Sequence, residues 1–462
     1  MNFASFPYLV FLGAVCLSYF QMKLPNRKAL FLLLASYLFY SIFGFGFAIL
    51  MIFTTLTTFV LTNKIHTSTD ATYRKLWFYL ALGIDTLVFI LFKYLHIIDI
   101  KIMNWPNFNV EQLLIPIGIS YYTFKTVGYS IDIYKRKYPP ENSFVYYALS
   151  VSFFPQLIAG PIEKSKIIIE QLKKNTKFNY INFVEGSRLI LWGLFKKIII
   201  ADTIAASIAP CYSNITDYRG LDLIILLFAY VYQIYADFSG YSDIAIGSAK
   251  CLNVNLPSNF FKPFHSKSIR EFWIRWHSSF SKWVKEYIFD NLGGISRGNH
   301  FKTIVNIWVL FLFVGVWHGF NWNYFFYGQV AFLWMTVDIL LRKINRRWRK
   351  KQLISILNYF IIMIMSMSII SFFRPQSLNE SFYIWSHLLD LKSFILKPET
   401  LFSIFCIIGL MECIEFFQTK PNGTFFEQIK NSNLRIFIYL IMIFSLIIFS
   451  SRPDYSFQYY QF

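Results

Sequence analysis

Stretches of about 20 mostly apolar residues, the length an α-helix needs to cross a hydrocarbon core of roughly 30 Å, recur from one end of this chain of 462 residues to the other. They leave no soluble domain of ordinary size between them. At 56% hydrophobic and 21% aromatic residues, the chain is too apolar for a soluble protein of this length. The runs place candidate spans at residues 3–22, 29–43, 47–61, 76–95, 113–134, 221–248, 303–319, 324–341, 353–373, 401–417 and 434–450. The first run lacks a basic leader and an A-x-A-like cleavage site, so it reads as a retained helix and not a signal peptide. No fixed-period repeat or low-complexity linker interrupts the pattern, and residues 1–462 read as one membrane domain.

The formal net charge of +19 does not point to nucleic acid, because Lys and Arg gather in short loops between apolar runs. Topology accounts for them. The positive-inside rule puts Lys23, Arg27 and Lys28, Arg74 and Lys75, Lys135, Arg136 and Lys137, and the basic run 342–351 in the cytoplasm. The N-terminus is then outside, the chain turns back at Gly44 and Gly46, and the tail 452–462 ends outside. The five cysteines, Cys16, Cys211, Cys251, Cys406 and Cys413, show no CxxC pair and no Cys/His metal spacing, so no metal is expected and they read as space-filling residues in helices.

Two stretches fit a simple span poorly. Residues 144–161 end in Gly160-Pro161, and residues 183–210 carry Lys196 and Lys197 in mid-run. Re-entrant or interfacial helices around a central chamber are expected, since irregular backbone at membrane depth survives only inside protein or against a wet cavity.

Candidate chemistry falls in three segments. Residues 258–294 are too charged to span, and helical plotting puts Phe272, Trp273, Trp276, Phe280, Trp283, Val284 and Tyr287 on one face, opposite Glu271, Arg275, Lys282, Lys285 and Glu286. This predicts one amphipathic helix at the cytoplasmic surface, with His277 at the edge of its apolar face. Spacing alone leaves open whether that histidine has a role or merely sits at the boundary. Residues 303–341 carry Gly315-Val316-Trp317-His318-Gly319. A helix starting near Thr303 would put His318 roughly 20 Å into the membrane. An ionisable group at that depth marks either a functional site or a histidine bonded between helices. In Tyr235-Ala-Asp-Phe-Ser-Gly-Tyr-Ser-Asp243, Asp237 and Asp243 either line the chamber or hold structure against Lys250 and the basic helix, with structure favoured; Asp132 poses the same choice. His66, His96, His265, His300 and His387 lie in or near expected loops and read as solvated.

There is no Walker A loop, GxGxxG or H-E-x-x-H. What remains is histidine chemistry, in which a buried neutral imidazole takes a hydroxyl proton as that oxygen attacks a thioester carbonyl.

Six ordered motifs carry a resemblance: GISYYTFKTVGYSIDIY (118–134), FPQLIAGPI (154–162), YADFSGYSDIAIG (235–247), REFWIRWHSSFSKWVKEY (270–287), GVWHG (315–319) and the terminal YYQF. Together the chain resembles the bacterial membrane-bound O-acyltransferase (MBOAT) family, and within it the membrane subunits of alginate and peptidoglycan O-acetylation. The resemblance implies an all-α integral membrane fold, a ring of about eleven transmembrane helices plus re-entrant and amphipathic helices around a central funnel. It maps the two family histidines onto His318, as general base or transient acyl carrier, and His277, as a supporting catalytic residue. Trp276 and Trp317 would shape the waist. Arg270 and Arg275 would attract the donor's phosphates, although membrane anchoring explains them almost as well, and Asp237 is kept as a candidate lining residue. Tyr460 in the aromatic tail would dock in the outer funnel or against a partner.

By the same resemblance the donor is cytoplasmic acetyl-CoA, used as a substrate with no bound cofactor. The expected partner is a periplasmic SGNH-type acetyltransferase, and the expected location is the bacterial cytoplasmic membrane. D-alanyl transfer to teichoic acid from a carrier protein is the alternative within the class, and a transporter or flippase the alternative outside it. Against transport, the two halves show no paired broken-helix repeats.

Overall fold

In a computed structural model, backbone is described for residues 3–102, 116–158, 160–296, 298–344, 353–390 and 394–449, without the side chains of 95–102, 341–344 and 353–355. The tail with Tyr460, and the basic run 342–351 in its side chains, lie outside the described residues. All regular structure among the described residues is helical. The principal helices are α1 (Phe6–Gln21), α2 (Pro25–Ser41), α3 (Phe45–Thr67), α4 (Ala71–Ile102), α5 (Ile119–Tyr134), α6 (Tyr180–Leu194), α7 (Asp202–Ser213), α8 (Leu221–Cys251), α9 (His300–His318), α10 (Trp322–Ile344), α11 (Leu353–Ile370), α12 (Pro398–Phe417) and α13 (Ser432–Phe449).

Each expected span overlaps a helix, residues 113–115 and 450 lying outside the described residues, and six helices among the described residues are long and apolar enough to cross a membrane: α3, the 71–94 part of α4, α8, α9, α12 and α13. Others are shorter; α5 has 16 residues, about 24 Å at 1.5 Å per residue, less than a full hydrocarbon core. Lipid contact is clearest on α13, where only Met442 is buried and Leu434, Phe437, Leu440, Phe444 and Ile447 project outward. An apolar face of that extent is stable against lipid and not against water.

The contacts gather into two compact units, residues 1–190 with 242–257, and residues 191–241 with 258–462. In the first, Tyr40, Met51, Ile65, Tyr122, Tyr129 and Tyr147 share a core. Two of the ionisable groups buried there have polar partners: the Thr58 hydroxyl donates to Asp85 at 3.2 Å, and Lys125 donates to Gln156 at 2.5 Å. The 144–161 stretch breaks as its sequence suggested, into Phe144–Ser152 and Phe154–Leu157, both buried. Gly118, at φ +77°, lies so close to this segment that a Cβ would stand 2.5 Å from the Leu157 carbonyl oxygen, a position open only to glycine. Asp132 is structural here, paired with Lys137 at 2.7 Å and bonded by the Tyr138 hydroxyl at 3.2 Å.

The doubtful 183–210 stretch, which belongs to the second unit from residue 191 on, is resolved at its lysines: α6 runs into a π-helical turn, Phe195–Ala201, and then into α7. The wider turn buries Lys196 and Lys197. Lys197 sits between Asp202 at 2.7 Å and Asp237 at 3.0 Å. Asp237 is therefore paired with Lys197, and Lys250, the partner the sequence suggested, joins Glu185 instead at 2.5 Å. Of the cysteines expected to fill space in helices, Cys16, Cys211 and Cys251 are buried, but Cys406 and Cys413 are exposed and fill no interior space.

Candidate active site

His318 is the last residue of α9, and Gly319 caps the helix in extended conformation. The helix begins at His300, so the imidazole lies about 27 Å along it, at its far end and not in its middle. A tight hairpin fixes that end. A Cβ on Gly315 would stand 2.4 Å from the Tyr324 carbonyl oxygen, and one on Gly328 2.5 Å from that of Phe311. The missing side chains let α9 and α10 touch backbone to backbone. Around the buried imidazole the hairpin and the turn after α11 set Trp317 at 4.5 Å, Tyr327 at 5.0 Å, Phe373 at 5.1 Å and Tyr324 at 6.1 Å between ring centroids.

The predicted single amphipathic helix over 258–294 is corrected by the structure. It is two short helices, Ile269–Arg275 and Ser278–Val284, followed by a π-helical turn, Lys285–Phe289. Trp276 is extended at the break, and His277 is left-handed at φ 44°, a strained conformation for a residue with a Cβ. Hydrogen bonds overdetermine it. The Ser278 amide donates to the Asn259 carbonyl at 2.9 Å, and His277 Nδ1 meets Asn259 Oδ1 at 2.9 Å. The same Oδ1 lies 2.9 Å from the Ser279 hydroxyl and accepts from the Ser279 backbone amide at 3.4 Å, a donor only, which identifies it as the amide oxygen. Nδ1 of His277 then carries the proton, and Nε2 keeps the basic lone pair.

His277 is thus buried, not at a face edge, with Phe238 edge-on at 4.6 Å and Phe280 stacked at 5.1 Å. Burial pushes its pKa down to about 3, because the apolar surroundings disfavour imidazolium.

A stack of rings joins the two histidines. Phe280 lies against His277 on one side and stacks on Trp317 at 4.4 Å on the other, and Trp317 packs on His318. Trp276 is placed beside this stack, stacked on Phe272 at 5.5 Å and edge-on to Phe260 at 5.3 Å. The structure therefore brings His318, His277, Trp317 and Trp276 together. It leaves Arg270 exposed and ties Arg275 to Glu271 at 2.7 Å.

Sequence reasoning missed three features. Asn259 anchors His277 from outside any periodic segment. His265, expected to be solvated, pairs with Glu412 at 2.7 Å, and that hydrogen bond raises it above the ordinary histidine range; Glu412 in turn accepts from the Tyr232 hydroxyl. Arg374, just past α11, lies over the rings of Tyr212 and Tyr230. Single polar residues at the ends of apolar runs give no periodic signal. Among the described residues no cluster of three or more His, Cys, Asp or Glu side chains could hold a metal ion.

Comparison with known proteins matches the model of the membrane-bound O-acyltransferase family to residues 135–374, a stretch containing both histidines. The chain belongs to that family of acyltransferases. It is 34% identical over 347 residues to the probable alginate O-acetylase AlgI of Pseudomonas aeruginosa, covering 73% of this chain and 66% of that protein. It is 32% identical over 362 residues to the peptidoglycan O-acetyltransferase of Helicobacter pylori, covering 71% and 68%. To the teichoic acid D-alanyltransferase of Bacillus subtilis it is 30% identical over 255 residues, covering 53% and 64%. The chain thus spans about two thirds of the length of these relatives.

Proposed function

We propose that this protein transfers an acetyl group from cytoplasmic acetyl-CoA across the cytoplasmic membrane for O-acetylation of an envelope glycan, directly or through a periplasmic SGNH-type acetyltransferase. The observation that carries this reading is the pair of buried histidines joined by the Phe280 and Trp317 rings. His318 takes the proton of an acceptor hydroxyl, whose oxygen bonds to the acyl carbon as the carbon–sulfur bond breaks; the proton then passes to the leaving thiolate. If the acyl group rests on protein, the same imidazole carries it. His277, fixed through Nδ1, holds donor or acceptor in line. Exposed Arg270 attracts the donor's phosphates more freely than Arg275, which is occupied by Glu271.

Acetyl transfer is preferred to D-alanyl transfer because the two O-acetylating relatives match 73% and 71% of this chain and the D-alanyltransferase 53%. Alginate, named for one of those relatives, is a polymer of uronates whose sugars bear carboxylates. The test uses the full chain in sealed vesicles of known orientation, supplied with labelled acetyl-CoA or a D-alanyl carrier protein on the cytoplasmic face. Label reaching an acceptor outside from acetyl-CoA is the expected result; transfer only from the carrier protein would replace it with the D-alanyl reading.

A further inference from the structure

Arg374 is a half-buried cation whose charge no described carboxylate balances. Its guanidinium carbon lies 4.5 Å from the Tyr212 ring centroid and 4.8 Å from that of Tyr230, two rings that pack on each other at 5.6 Å. Nη1 donates to the buried Gln233 Oε1 at 3.2 Å. Three other cations of the same unit are matched: Lys197 by two aspartates, Arg275 by Glu271, Arg219 by Asp390. Aromatic faces compensate part of the desolvation of a guanidinium. Gln233 Oε1 and the Tyr230 hydroxyl accept from it, and the rest of its five N–H donors suit a planar oxyanion.

Its position relative to the chemistry is fixed on both sides. The preceding residue, Phe373, packs edge-on against the His318 ring at 5.1 Å. The following residue, Pro375, accepts at its carbonyl from the buried Asn323 Nδ2 at 2.7 Å, and Asn323 is next to Tyr324, another wall of the His318 site. Three consecutive residues thus fasten the guanidinium to the two chain segments that frame the imidazole.

We propose that Arg374 binds a sugar-borne carboxylate of the acceptor glycan, so that one sugar's anionic group is anchored while a neighbouring hydroxyl is presented to His318. This deepens the acyl-transfer reading by naming the acceptor as an acidic glycan. It is tested without any acyl donor, so its outcome is separate from whether acetyl-CoA is turned over.

The experiment measures binding of a short oligouronate and of an N-acetylmuramyl disaccharide, each as free acid and as neutral methyl ester, to the purified full-length protein and to Arg374→Gln and Arg374→Lys. The wild type is expected to prefer the acid of at least one probe by about tenfold. Arg374→Gln loses that preference while binding the ester unchanged, and Arg374→Lys keeps charge without the fork and retains only part of it. A merely structural arginine would weaken acid and ester alike. Equal wild-type binding of acid and ester for both probes, or a preference that survives in Arg374→Gln, overturns the proposal. Should Arg374→Gln fail to fold, the partial loss in Arg374→Lys decides.

Discussion

The two buried histidines are held by opposite means. His277 sits in a strained left-handed break, locked through Nδ1 to an asparagine that is itself locked by Ser279. His318 sits at the end of an unstrained helix, in a box of rings made possible by glycine contacts between two helices. Hydrogen bonds fix a ring's rotation and tautomer; packing fixes a ring's place by shape alone. The contrast teaches that two similar motifs, RWH and VWH, hold their histidines by different physical means. On the proposed function the first would orient and the second react.

Substitution should separate them. His318→Ala is expected to lower acyl-transfer turnover by roughly a thousandfold or more, the scale of losing a general base or nucleophile, with donor binding preserved. Equal losses in His318→Ala and His277→Ala would erase the distinction, since His277→Ala should cost only about ten- to a hundredfold in an orienting role. Asn259→Ala should reproduce most of the His277→Ala defect and add little on top of it, and a double-mutant cycle reads that coupling. Additive losses would show that Asn259 acts elsewhere.

The smallest effect is on stability. The pKa of His277 is depressed in the fold to about 3, so the unfolded chain binds its proton more readily. The stability this neutral ring contributes is complete above about pH 6.5 and is lost as pH falls from there towards 3. Thermal melts between pH 6.5 and 4 should fall less steeply in His277→Gln than in wild type, by roughly a few degrees. An unchanged slope would mean the ring is hydrated in the native state.

The fold was legible because hydrocarbon thickness demands long apolar runs, and every run so identified overlaps a helix. His318 was legible for a related reason: a titratable group inside such a run stands out. The break at Trp276 and His277 was not, because the residues on either side keep a helical pattern and the cause of the break, Asn259, lies 18 residues upstream. Asp237 was singled out for its charge, but its partner Lys197 is presented by a π-helical turn that no spacing announces. Arg374 follows an apolar run as many loop arginines do; only the tyrosines beneath it distinguish it.

The seam between α9 and α10 also limits how reactants travel. With Gly315 and Gly328 bringing the backbones into contact, the helices have no gap for an acyl chain to slip through, and prising them apart would break the wall that holds the imidazole. The hairpin therefore closes that side of the imidazole with backbone, while Trp317 and Phe373 line it with rings.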